Sequence, residues 1–115
     1  MRLPVQSEDD AFRTVGRGDV VPNDFVVPFY LRDQKLRIAV ARVADRLYAF
    51  NDLCTCSPGE ACPLSGGLLT GTTIMCQCHG SRFDITSGTV INGRATEPLV
   101  VYSVQEKEGA IQIRI

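Results

Sequence analysis

The sequence has no tryptophan, a single histidine and no long apolar run, and each scarcity limits what the protein can do. No apolar stretch approaches the roughly 20 residues that a helix needs to cross a bilayer. The opening segment, Met1–Phe12, has acids where a signal peptide would be apolar, which predicts a cytoplasmic protein without a membrane anchor. The formal net charge is −1, so no general attraction to nucleic acid or to an anionic membrane is expected.

The length of the chain predicts one domain. Its 115 residues are enough for a domain with a modest core and too few for two, so residues 1–115 are assigned to a single domain. Hydrophobic residues make up 44% of the sequence and charged residues 22%, as in an ordinary globular protein.

Short runs of β-branched and aromatic residues between turn signals predict an all-β fold. The clearest runs are Asp24–Leu31, Leu36–Val43, Arg46–Phe50, Thr72–Met75, Leu99–Val104 and Ala110–Ile115. Ala44-Asp45-Arg46 separates two of them like the turn of a hairpin, although it has no glycine, and Glu106–Gly109 gives a clearer turn signal. There is no long helical period, so we expect a small antiparallel β-sandwich or barrel.

The cysteines are concentrated in one stretch of the chain. All five lie between Cys54 and Cys78, and the only histidine, His79, follows directly. Such clustering, without a signal peptide, favours a metal site over a disulfide framework. The surrounding residues, about 51–88, are rich in glycine and read as a loop-rich subdomain that a bound metal centre would order.

Two short motifs supply the candidate ligands. They are Cys54-Thr55-Cys56 and the run Cys76–Asp84, which reads CQCHGSRFD. Soft thiolates and an imidazole, drawn from two loops, are the ligands that proteins use for iron–sulfur clusters or for zinc. From the residues alone, a structural zinc site therefore stays an alternative to a cluster.

The run Cys76–Asp84 resembles the second motif of the Rieske family, C-x-x-H-G-S-x-F-D. Ala49–Thr55 is similar to the segment that enters the first Rieske motif, and the resemblance extends over roughly residues 36–105. It implies a [2Fe–2S] cluster that is clamped between two loops at the tip of a small β-domain. In the family the serine at the position of Ser81 donates a hydrogen bond to a cluster sulfur.

The first motif departs from the family pattern. A Rieske first motif is Cys-x-His, and here Cys56 occupies the histidine position. Carried over by position, Cys54 and Cys76 would hold the inner iron, and Cys56 and His79 the outer one. A cysteine is still a competent iron ligand, so the resemblance predicts an altered site and not an abolished one. The alternative is that Cys62 replaces the missing histidine.

Cys62 and Cys78 are the remaining thiols. Rieske proteins of quinol-oxidising cytochrome complexes have cysteines at similar places, joined by a disulfide that braces the two cluster loops. The resemblance therefore makes Cys62–Cys78 a candidate disulfide, although a cytoplasmic setting works against it.

The resemblance also restricts the function. Rieske oxygenases need a second iron site with two histidines and a carboxylate, which a chain with one histidine cannot supply. We therefore expect no enzyme but a soluble electron carrier, similar to the ferredoxin components of oxygenase systems. Its partners would be a flavin-dependent NAD(P)H reductase and an oxygenase or other oxidoreductase. A redox-sensing or iron–sulfur accessory module is the alternative from another class. The oligomeric state is not predicted.

Overall fold

The computed structural model describes residues 12–55 and 62–115, and these residues form two antiparallel sheets. The all-β prediction is confirmed. The strands are β1 Phe12–Arg17, β2 Phe25–Leu31, β3 Leu36–Val43, β4 Arg46–Asn51, β5 Leu68–Thr70, β6 Thr73–Met75, β7 Arg82–Asp84, β8 Val90–Asn92, β9 Val101–Lys107 and β10 Ala110–Arg114. Two short 3₁₀ helices cover Gly18–Val20 and Leu64–Gly66. No helix within the described residues has the length and apolar character to cross a membrane.

The larger sheet has six strands in the order β1-β10-β9-β4-β3-β2. Its outermost strands, β1 and β2, also contact each other, so the sheet curls into a partial barrel. One hydrophobic core fills this barrel, with Ile38 and Val40 of β3 and Ile111 and Ile113 of β10 completely buried. Alternate residues of a strand point to one face, which is why these β-branched residues recur at every second position.

The smaller sheet, in the order β5-β6-β7-β8, packs with its loops against the other face of the barrel wall. Ala39 and Ala41 of β3 point into this second core and are as deeply buried as Val40 between them. Burial of both faces explains why β3 reads as a continuous apolar run. The second core also contains Cys54, Cys62 and Cys76.

The predicted strands agree with the structure in position, and two turns explain the details. Ala44 and Asp45 have φ of 51° and 68°, so the β3–β4 hairpin turns through two residues with positive φ and needs no glycine. Glu108 and Gly109, with φ of 53° and 79°, form the second two-residue turn. Because that turn is so short, β9 continues to Lys107, beyond the predicted end at Val104.

Candidate metal centre

Three connecting segments contact one another. The first loop, residues 52–67, joins β4 to β5; the second loop, residues 76–81, joins β6 to β7; and the covering segment, residues 93–100, joins β8 to β9. The first and second loops contain all the predicted ligand positions. Cys54, Cys76, His79 and Ser81 belong to the described residues, whereas Cys56 lies outside them.

The two arms of the first loop are paired at its base. The Cys54 amide donates to the Cys62 carbonyl at 2.9 Å, and the Leu64 amide donates to the Asp52 carbonyl at 2.5 Å. An isolated antiparallel bridge between Leu53 and Pro63 lies between these bonds. The Cys54 side chain is thus held in the second core, with its residue only 5% exposed.

The second loop is a closed turn. The Cys76 amide donates to the Ser81 carbonyl and the Gly80 amide donates to the Cys76 carbonyl, both at 2.8 Å. Gly80 has a φ of +76°, in the left-handed region that glycine adopts at least cost. Cys76 and Ser81 are completely buried at the base of the turn, whereas Cys78 at its outer side is exposed and His79 is half-buried.

A disulfide joins the first loop to the second. It links Cys62 to Cys78, whose Cα atoms are 6.4 Å apart. The sulfur of Cys76 lies within 4.8 Å of both disulfide sulfurs. The loops are therefore face to face, and sulfur atoms from both of them are concentrated in one small volume.

The covering segment contacts both loops. The Ala95 amide donates to the Ser81 Oγ at 3.1 Å, and the Thr55 Oγ1 donates to the Glu97 carbonyl at 2.7 Å. Gly93 lies so close to Ser81 that a Cβ on it would be 2.5 Å from the Ser81 Cα, so only glycine fits there. Because the Ser81 oxygen accepts from Ala95, its hydroxyl hydrogen can be donated to another acceptor.

These residues fit a thiolate-bound cluster. Cys54 and Cys76 are buried on facing loops, and soft sulfur donors suit iron–sulfur clusters and zinc. The buried Ser81 hydroxyl lies at the base of the same turn as Cys76, as expected where an O–H group donates to a cluster sulfur. The contacts of Asp52, Thr55 and Ala95 join segments that are distant in the chain, so no local sequence pattern marks these residues as part of the site.

Comparison with known proteins agrees with this geometry. Residues 12–103 match the family model described as the Rieske [2Fe-2S] domain. The chain is 41% identical over 76 residues to ferredoxin CarAc of Metapseudomonas resinovorans, covering 66% of this chain and 68% of that protein. It is 35% identical over 78 residues to the anthranilate 1,2-dioxygenase ferredoxin subunit of Burkholderia cepacia, covering 68% and 69% of the two chains.

Solved structures share the fold. A chain in the complex of reduced oxygenase and oxidized ferredoxin in carbazole 1,9a-dioxygenase superposes with a TM-score of 0.79 and 29% identity, covering 90% of this chain and 93% of that one. The Sphingomonas yanoikuyae B1 ferredoxin superposes with a TM-score of 0.80, covering 90% and 98% of the two chains. At 24% identity, the likeness to the second structure shows a shared fold alone.

Proposed function

The chain belongs to the Rieske [2Fe–2S] domain family, and from this premise we propose that it carries single electrons from a flavin-dependent NAD(P)H reductase to an oxygenase. The observation that carries the proposal is the meeting of the first and second loops through the Cys62–Cys78 disulfide, with Cys54 and Cys76 buried in the same core. One relative named above is a ferredoxin and the other is the ferredoxin subunit of anthranilate 1,2-dioxygenase, and ferredoxins are electron carriers and not catalysts. The cofactor is a [2Fe–2S] cluster, which supplies one-electron chemistry when it is bound.

We assign Cys54 and Cys76 to the inner iron, and Cys56 and His79 to the outer iron. The burial of Cys54 and Cys76 at the bases of facing loops supports the first pair. The disulfide engages the sulfur of Cys62, which argues against Cys62 as the substitute for the missing histidine. The role of Cys56 rests on its place in the first motif, two residues after Cys54.

The surroundings of the ligands suit electron transfer. The covering segment and the second core keep the Cys54 and Cys76 side chains away from water. On the outer side, Gln77 and Cys78 are exposed and His79 is half-buried, so little protein separates the second loop from an approaching partner. This side of the loop is therefore the proposed route for electrons in both directions. A cytoplasmic location stays a prediction.

Electron transfer predicts coupled turnover in a reconstituted system. When NADH is added to a mixture of this protein and a flavin-dependent reductase, we expect the visible absorbance of the iron–sulfur cluster to bleach. The cluster absorbance should return when the oxygenase component and oxygen are added. Hydroxylated product should form only when all three proteins are present. The measurement is stopped-flow absorbance together with product analysis, with the reductase omitted as the control. A stoichiometric complex whose affinity depends on the oxidation state, without any turnover, would instead support a sensing module.

A further inference from the structure

Asp52 is a completely buried acid at the base of the first loop. Its carboxylate accepts hydrogen bonds from Arg37 Nε, from the Ser65 amide at 2.7 Å and from the Ser65 hydroxyl at 3.0 Å. Its main chain is bonded as well, since the Asp52 amide donates to the Arg37 carbonyl at 3.0 Å and its carbonyl accepts from Leu64. A single residue thus joins β3 to both arms of the first loop.

Asp52 and its partner Ser65 both lie close in the chain to cysteines of the site. It precedes Cys54 by two residues, and its partner Ser65 follows Cys62 by three. The carboxylate therefore fastens the near arm, which contains Cys54, to the far arm, which contains the disulfide cysteine. A buried carboxylate is costly unless its hydrogen-bonding capacity is filled, and Arg37 and Ser65 fill it here.

We propose that Asp52 is a positioning residue for the metal centre, because it closes the base of the first loop and so fixes Cys54 against the second loop. Its negative charge, only partly offset by the half-exposed Arg37, also lies close in the chain to a proposed cluster ligand. This inference rests on the proposed function, since it concerns the environment of the same cluster.

The chain contains a matched ion pair far from the site. Arg42 lies on the same strand as Arg37, at the hairpin-turn end of β3, and bonds Glu106 through two nitrogens at 3.1 and 3.2 Å. Both side chains are partly buried, with exposures of 15% and 35%. Glu106→Gln therefore removes a carboxylate from an arginine pair without touching any of the three segments that meet at the metal centre.

The test compares cluster-loaded Asp52→Asn with Glu106→Gln. In Asp52→Asn we expect altered EPR g-values in the reduced state, a more positive reduction potential because a negative charge is gone, and roughly tenfold faster cluster loss to a chelator. In Glu106→Gln we expect a lower unfolding temperature with the spectrum, potential and cluster-loss rate of the unmodified protein. Asp52→Asn with an unchanged spectrum and potential, and with the cluster-loss rate of Glu106→Gln, would overturn the proposal.

A second variant keeps the test decisive if Asp52→Asn does not fold. Ser65→Ala removes one of the hydrogen bonds to the same carboxylate without changing its charge, and should speed cluster loss by a smaller factor. Cluster loss from Ser65→Ala no faster than from Glu106→Gln would overturn the proposal. Failure of the proposed function would look different, because the unmodified protein would then contain no iron and sulfide at all.

Discussion

Replacing Cys76 by serine is expected to remove the cluster from the purified protein, whereas replacing Cys78 by serine should leave the cluster bound. The two cysteines belong to the same closed turn, but Cys76 is completely buried and Cys78 is exposed and bonded to Cys62. A serine hydroxyl stays protonated at neutral pH and is a poor substitute for a thiolate ligand. Iron, sulfide and visible absorbance, measured per protein, distinguish the two variants.

The Cys78→Ser variant also tests how much the disulfide between the loops stabilises the protein. The disulfide closes a segment with a sequence separation of 16, so its loss should lower the free energy of unfolding by about 2–3 kcal/mol. Cys62→Ser removes the same bond and should behave in the same way. Cluster loss in Cys62→Ser but not in Cys78→Ser would instead make Cys62 the fourth ligand. A cluster that is retained in Cys76→Ser and lost in Cys78→Ser would contradict the assignment.

Replacing Cys56 by histidine is expected to raise the reduction potential substantially. A thiolate ligand brings a negative charge that a neutral imidazole lacks, which disfavours the added electron. Rieske centres with two histidines span about −150 to +300 mV and all-cysteine plant-type centres lie near −400 mV. We therefore expect roughly −400 to −100 mV for the unmodified protein, and a value inside the ordinary Rieske range for Cys56→His.

The pH dependence of the potential should change together with its value. With one imidazole ligand, the unmodified protein has fewer groups that can couple proton uptake to reduction, so its potential should vary with pH less than that of Cys56→His. Potentiometric titrations of both proteins at several pH values measure the two effects. A clearly positive potential for the unmodified protein, or identical titrations for the two proteins, would show that Cys56 is not an iron ligand.

Much of this fold follows from local patterns. β3 and β4 are visible as runs of β-branched and aromatic residues, and their turn follows from the two residues between them. β1 was not predicted, and neither were β5, β7 and β8. The last three have only three residues each, too few to show an alternating pattern, and β6, which is as short, is marked by the run Thr72–Met75, rich in β-branched residues. β1 is fixed by pairing with β10 at the other end of the chain, and such long-range pairing leaves no local signal.

Some residues of the site can likewise be predicted from local sequence, whereas others depend on long-range contacts. The second motif marks Cys76, His79 and Ser81 directly, because the residues of a closed turn are neighbours in sequence. The role of Asp52 depends on Arg37, fifteen residues earlier, and on Ser65, thirteen residues later. Nothing in the sequence near Asp52 shows that its carboxylate is buried, since acids are usually exposed. Only the folded chain brings Arg37 and Ser65 to this carboxylate.

The most direct measurement is a metal and sulfide assay, with EPR, on protein that is purified without oxygen and reduced with dithionite. We expect about two irons and two sulfides per chain, little zinc and a rhombic signal that appears only after reduction. A colourless protein that contains one zinc per chain and gives no such signal would contradict the account, because the two loops would then hold a structural ion that cannot accept an electron.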